Sequence, residues 1–333
     1  MYYVFGESVE SFLGFHLRKA QELQIPDELR GWNLEPTHYE INLPVWMVAG
    51  KYCPTCRDVY LSYVKGVKPL PTPAMMEGRL YHETLAEIVP TAKEYIYTTG
   101  ITPNFNLLNH MQGAGKRKVL ELVYGARKDI ERAGMHEEDV AMIKYNMLKL
   151  WNFESMQIAA NVDMVMSRFP NINRDSLVSK AIPLAVEQKL DGSRIGLSSQ
   201  LSIDALMVPQ AVIFDMKTGK SHRFHLMTTT GYALAYEAEH SEPVNIGCIV
   251  YPTFRPHLPI PSVKKKPHLI TAEMRKEFID LLRAKTEIVA REKDPGMPPA
   301  CPQACPYYLE CHPIPYTLQT RLSEHRPQEQ ARA

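Results

Sequence analysis

Apolar residues recur at helical spacing from Glu7 to Leu29, and Pro26, Pro36 and Pro44 then break the chain into an extended, turn-rich entry. Helices are predicted over Arg57 to Val64 and over Gly78 to Val89, the second with Leu80, Leu85 and Ile88 along one side. From about Phe105 to Arg168 the chain is rich in helix formers and lacks strand alternation, so a helical insertion is expected there. The pattern then changes. Short runs of β-type composition lie between Ile182 and Lys217, separated by Asp191-Gly192-Ser193 and by Pro209-Gln210. A helix around Thr228 to Glu239, an apolar strand Ile246 to Tyr251 and an amphipathic helix from about Thr271 to Lys293 follow.

With 333 residues, 45% of them hydrophobic, the chain can bury a sizeable core. The N-terminus has no basic leader before an apolar stretch, and no segment approaches the roughly 18 apolar residues of a membrane span. These features predict a cytoplasmic protein that does not enter membranes. In a reducing compartment six cysteines argue against a disulfide framework and leave metal ligation or burial as their uses. A net charge of +1 gives no overall pull on nucleic acid, so DNA binding would rest on local runs such as Lys116-Arg117-Lys118 or Lys264-Lys265-Lys266. Each run taken alone reads as solvated surface.

The stretch from Leu201 to Lys217 carries the most chemistry. With Pro209-Gln210 at the turn, an antiparallel register pairs Val208 with Ala211, Leu206 with Ile213, and Asp204 with Asp215. Directly opposed side chains have Cβ atoms about 4.5 to 5.5 Å apart, a spacing at which like charges repel and the pKa of one acid should rise. Alternation puts Lys217 on the same side as Asp215. A divalent cation would turn the repulsion into ligation, because hard carboxylate oxygens suit Mg²⁺ and Mn²⁺. Proline as the first turn residue does not suit a type I′ hairpin, which leaves a longer loop open. His82 is the natural further ligand.

Cys301, Cys305 and Cys311 crowd into a Pro-rich segment not expected to form regular structure, and three thiols need a fourth. Cys53 and Cys56 are both candidates, and four thiolates suit either tetrahedral zinc or an iron-sulfur cluster. Cys248, in an apolar strand, reads as a small core residue.

Taken in order, Tyr52-Cys53-Pro54 before a helix, Gly78 and His82 on a helix, Asp204 and Asp215-x-Lys217 on a hairpin, Gly231-Tyr232-Ala233 on the next helix, and Cys301, Cys305 and Cys311 at the end resemble the CRISPR-associated RecB-like nucleases of the Cas-four family, and more closely the archaeal type I-A relatives called Csa-one. The resemblance implies an α/β PD-(D/E)xK core: a mixed sheet flanked by helices, with a helical insertion and a cluster joining the N- and C-terminal segments. It implies Mn²⁺ or Mg²⁺ on His82, Asp204 and Asp215, a catalytic Lys217 acting with the two aspartates, and a 4Fe-4S cluster on Cys53, Cys301, Cys305 and Cys311. The activity implied is an Mn/Mg-dependent deoxyribonuclease, exonucleolytic on single-stranded DNA, that prepares fragments for CRISPR spacer acquisition. Its partners would be DNA, a CRISPR integrase and other adaptation proteins, with room for a homo-oligomer. Three positions depart from the common pattern: Asp215 stands where many relatives have Glu, Thr228 where many have Gln, and the first C-terminal cysteine gap is three residues. Tyr232, Thr228 and Cys56 are therefore accessory candidates. The expected organisation is an N-terminal helix and entry (1–52), the first cluster cysteine and active-site helix (53–104), the helical insertion (105–170), the nuclease core (171–295), the cysteine-rich segment (296–315) and a disordered polar tail (316–333). Two alternatives stay open: a catalytically silent structural or DNA-binding subunit of an adaptation complex, and a zinc-stabilised nucleic-acid-binding protein.

Overall fold

The computed structural model describes residues 9–35, 39–102, 105–301 and 305–313. The tail expected to be disordered lies outside them. Helices α1 (Val9–Glu22), α2 (Val45–Ala49), α3 (Arg57–Tyr63), α4 (Pro73–Thr99), α5 (Leu107–Gly125), α6 (Arg127–Arg132), α7 (Glu137–Arg168) and α8 (Arg174–Ala181) precede the sheet. Strands β1 (Leu184–Leu190), β2 (Leu201–Met207) and β3 (Val212–Met216) follow, then α9 (His225–His240), β4 (Ile246–Thr253), β5 (Ser262–Leu269), α10 (Ala272–Arg291) and the single turn α11 (Tyr308–Cys311). Among the described residues no helix is long and apolar enough to cross a membrane.

The five strands lie in chain order, antiparallel except for the parallel pair β3 and β4, for which α9 is the crossover. Alternation along β3 divides the interior. Val212, Phe214 and Met216 join one core, shared with Leu80, Leu85, Met147 and Trp151 of α4 and α7. Ile213 and Leu206 join the other, shared with Val45, Leu234 and Phe278 of α2, α9 and α10. The helices of 107–168 thus bury their apolar sides in the same core as one face of the sheet.

Most predicted elements recur, with instructive exceptions. The first helix stops at Glu22, short of Pro26, and the residues up to Asn33 form two 3-10 turns. By contrast α4 runs through Pro90 to Thr99. Thr72 caps its start by accepting the Met75 amide, and Ile88, Val89, Ala92 and Ile96 are buried on both sides of the proline. That burial outweighs an interior-proline cost of about 3 kcal/mol. Strand β5 and helix α8 are not marked by the sequence pattern. β5 contains the Lys264-Lys265-Lys266 run and Pro267, residues that suit a sheet edge because they oppose pairing with another chain. In the cysteine-rich segment α11 is one turn of helix where none was expected.

A buried ion cluster joins distant segments. Glu237 and Arg275 are both fully buried and meet through two bonds, Nη1 to Oε2 at 2.7 Å and Nη2 to Oε1 at 2.9 Å. Arg30 Nη1 donates to Glu237 Oε1 at 2.7 Å, and the amides of Gly31 and Val244 donate to the same carboxylate. A Cβ on Gly31 would come 2.0 Å from the Leu234 carbonyl oxygen, so only glycine lets the entry segment lie this close to α9.

Removing the carboxylate charge leaves two guanidinium groups uncompensated in a low-dielectric interior, a loss of about 3–5 kcal/mol for a buried pair. Glu237→Gln is therefore expected to lower the thermal midpoint by about 4–7 °C or to abolish soluble expression. A midpoint within about 2 °C of wild type by differential scanning calorimetry would contradict this role.

Candidate active site

The β2–β3 hairpin has the register read from the sequence: Leu206 pairs with Ile213 and Met207 with Val212. The turn is longer than two residues, a 3-10 turn over Val208–Gln210 closed by Ala211 at φ 49°. Going away from the turn, strand pairing ends at Ala205 and Phe214. There the backbone amide of Met216 donates to Asp204 Oδ2 at 2.7 Å, and the Lys217 amide donates to the Val250 carbonyl at 2.9 Å. A side-chain carboxylate thus takes a bond from β3 just past the end of the β2–β3 ladder. The opening between the strands is where the acids sit.

Four predicted residues converge there. His82 Nδ1 lies 3.2 Å from Asp204 Oδ2. Lys217 Nζ lies 3.0 Å from Asp215 Oδ1 and 2.9 Å from Oδ2. α4 brings the histidine by passing close to the residue after the lysine: a Cβ on Gly78 would lie 3.1 Å from Thr218 Oγ1. The predicted repulsion falls on one acid. Burial and then the charge of Asp204, resisted by Lys217, push Asp215 up to about 6. Burial works against ionisation of Asp204 too, but His82 and Lys217, together with the Met216 amide, outweigh it and hold its pKa below the ordinary value. Burial lowers the His82 pKa, yet the charge and hydrogen bond of Asp204, with Asp215, bring it above the usual histidine value. Burial likewise opposes the Lys217 charge, and the two aspartates raise its pKa in spite of it.

Among the described residues no three His, Cys, Asp or Glu side chains close on one point as ion ligands would. The donor set nevertheless fits a hard cation. Asp215 is only 2% exposed, and its Oδ2 receives no aligned hydrogen bond even with Lys217 Nζ nearby, while the His82 side chain keeps 30% of its surface open to solvent. Two carboxylates and an imidazole held close together in a largely buried site are hard and borderline donors of the kind a divalent cation takes.

Around these four stand residues of uneven legibility. Tyr232 on α9 feels Asp204, Asp215 and Glu187, which with burial put its pKa well above the ordinary value and keep the phenol protonated. Thr228, one turn earlier, is buried and makes no hydrogen bond to the acids among the described residues. Sequence reasoning missed Glu187. In β1 its neighbours Val186 and Gln188 pair with Ala205 and Ile203, so it stands across from Asp204, and its φ of 50° is unusual for a residue with a side chain. Such a conformation costs about 1–3 kcal/mol and gathers at functional sites. The weak alternation of Leu184 to Leu190 carries no signal of it. Tyr52 was missed as well, although its place before Cys53 was noted.

The cysteine segments meet at one end of the molecule. Tyr60 and Leu61 of α3 pack with Tyr307 and Cys311. Arg57 donates to Cys311 Sγ at 3.3 Å and pairs with Asp294, and Thr55 donates to the Gly296 carbonyl. Burial, then the charges of Cys311 and Cys53, raise the Cys301 pKa. Burial, together with Cys301, Cys53 and Cys311, does the same for Cys305. These four thiols are electrostatic neighbours. Cys56 is raised chiefly by burial, with Lys285, Asp58 and Cys53 acting on it, and it is not among the charges acting on Cys301. Cys248 is buried in β4 as expected, its thiol pushed up to about 12 by burial.

The family model for CRISPR-associated exonuclease Csa1 matches residues 4–314. The CRISPR-associated exonuclease Csa1 of Saccharolobus solfataricus is 32% identical over 292 residues, covering 87% of this chain and 93% of that protein. That of Thermoproteus tenax is 26% identical over 304 residues, covering 89% and 96%. No solved structure matches the chain significantly.

The unequal acids predict unequal variants. Because the folded pKa of Asp215 is raised, the folded protein holds a proton that the unfolded chain releases between about pH 4 and pH 6, so stability from this group falls as pH rises through that window. In chelator, Asp215→Asn should flatten that fall, while Asp204→Asn, which loses a stabilised charge, should be the less stable variant at pH 7. Denaturant unfolding of both across pH 4 to 7 checks the order, and the reverse ranking would overturn the assignment.

Proposed function

Because this chain belongs to the family of CRISPR-associated exonuclease Csa1, we propose that it is a metal-dependent deoxyribonuclease whose reacting groups are Asp204, Asp215 and Lys217, with His82 as the further metal ligand. The observation that carries this reading is the convergence of the four side chains where β2 and β3 part. A manganese or magnesium ion on His82, Asp204 and Asp215 would lower the pKa of bound water and neutralise phosphate charge. Lys217, held by the Asp215 carboxylate, orients the attacking water and offers its positive charge to the scissile phosphate. Tyr232, kept protonated by its acidic surroundings, can donate a hydrogen bond and cannot act as a base. The Asp204 carboxylate, ionised in the folded state, accepts the Met216 amide and so keeps the strand ends apart.

The proposal extends to a 4Fe-4S cluster on Cys53, Cys301, Cys305 and Cys311, supported by the mutual influence of these thiols and by Cys56 not being among the charges acting on Cys301. It also extends to exonucleolytic action on single-stranded DNA and to the preparation of fragments for CRISPR spacer acquisition beside an integrase.

Lys217→Ala should reduce Mn²⁺-dependent degradation of end-labelled DNA by about 10²- to 10³-fold, with a thermal midpoint close to wild type. Undiminished cleavage would remove the assigned centre. Protein purified without oxygen should be brown and contain iron. Cys53→Ser should lose the absorbance and Cys56→Ser should keep it; colourless wild-type protein with stoichiometric zinc would exclude the cluster.

A further inference from the structure

Within electrostatic reach of Asp215 and Lys217 is Tyr52, the first of three rings in contact that the chemistry above does not use. Tyr52 is 66% exposed and stands edge-on to Phe224, with ring centroids 4.8 Å apart and an interplanar angle of 81°. Phe224 in turn lies nearly parallel to His222, 5.1 Å away at 17°. The Tyr52 phenol lies in the field of the candidate centre: partial desolvation of its hydroxyl end and the charge of Asp215 raise its pKa, while Lys217 lowers it. The phenol thus lies within electrostatic reach of the reacting groups while much of the residue's surface is open to solvent.

Its backbone is anchored from both sides. Lys285 Nζ, buried, donates to the carbonyls of Met47, Val48 and Gly50 at 2.7, 3.1 and 2.7 Å, capping α2 just before Tyr52. On the other side, Thr55 donates to the Gly296 carbonyl at 2.8 Å. A ring mounted on a held backbone loses little further freedom when a ligand stacks on it. The ligand that an exposed ring beside a phosphodiester-cleaving centre fits is a nucleobase, since every base has a π-face and stacking on an aromatic side chain tolerates any sequence. In a duplex those faces are covered by neighbouring pairs. Only the end pair leaves one open, whereas each unpaired nucleotide can turn its face to the ring.

We infer that Tyr52, backed by Phe224 and His222, is a stacking platform for the unpaired base next to the scissile phosphate, and that it selects single-stranded DNA. The inference rests on the nuclease reading of His82, Asp204, Asp215 and Lys217, and the test separates the two.

Wild type, Tyr52→Ala and Tyr52→Phe are compared with Mn²⁺ on a single-stranded oligonucleotide, the same strand with abasic terminal nucleotides, and the duplex. Loss of one stacked base corresponds to about a 5- to 100-fold fall in kcat/KM. Tyr52→Ala should show that fall on the normal single strand, a smaller one on duplex, and no further fall when the terminal bases are removed. Tyr52→Phe should retain the single-strand preference. In parallel, a terminal 2-aminopurine strand is titrated into Lys217→Ala with and without Tyr52→Ala: stacking quenches its fluorescence, and the double variant should lose the quench. Equal losses by Tyr52→Ala on normal and abasic strands, or a fall in Tyr52→Phe matching that of Tyr52→Ala, would overturn the platform and leave the nuclease standing. If wild type cleaves no DNA, the nuclease reading fails, and the fluorescence arm still decides: a quench dependent on Tyr52 supports stacking and an unaltered signal refutes it.

Discussion

A charge that cannot be left alone organises this molecule. Glu237 is fully buried on α9, and its carboxylate is met by Arg275 from α10, by Arg30 and the Gly31 amide from the entry segment, and by the Val244 amide ahead of β4. Buried ion pairs add little net stability compared with apolar packing, but a misplaced partner leaves a bare charge in a low-dielectric interior. That penalty sets how α9 and α10 lie over the sheet. Both helices bear on the site, since α9 carries Tyr232 over the acids and α10 carries Lys285, which caps α2 ahead of Tyr52 and Cys53.

At the candidate centre the same physics works at closer range. Two aspartates on adjoining strands would repel, and the fold divides the burden unequally. Asp204 is held charged by His82, Lys217 and a backbone amide, whereas Asp215, deeper and with one close cation, holds its proton more tightly. A third acid, Glu187, stands across from Asp204 on the other side, at a backbone conformation that costs free energy. The sheet is least regular where negative charge is densest. Regular pairing would use the strand ends for hydrogen bonds to each other, and its interruption frees Asp204 and the Met216 amide to face one another.

The cysteine-rich end and the acidic centre are joined through a few residues. Tyr52 lies within electrostatic reach of Lys217 and Asp215, and the charge of the next residue, Cys53, acts on Cys301 and Cys305. Anything that displaces the loop from Gly50 to Cys56 moves both.

Much of this was legible in the chain. Helical and alternating patterns gave the main elements from Arg57 to α10, because periodicity depends on near neighbours. The pairing of Leu206 with Ile213 followed from the turn position alone, since a one-residue slip would turn every core side chain to the wrong face. Burial of Cys248 followed from its apolar strand. Other features depended on segments far apart in the chain. β5 hid behind its lysines, because edge strands carry the residues that interior strands exclude. Neither spacing nor composition brings α3 to the C-terminal cysteines; Tyr60 and Leu61 meet Tyr307 and Cys311 only in the folded chain. Which aspartate carries the raised pKa, why Glu187 is strained, and where the Tyr52 ring stands are likewise tertiary outcomes. A pKa is set by what the fold buries and brings near, and those neighbours come from elements scattered along the chain.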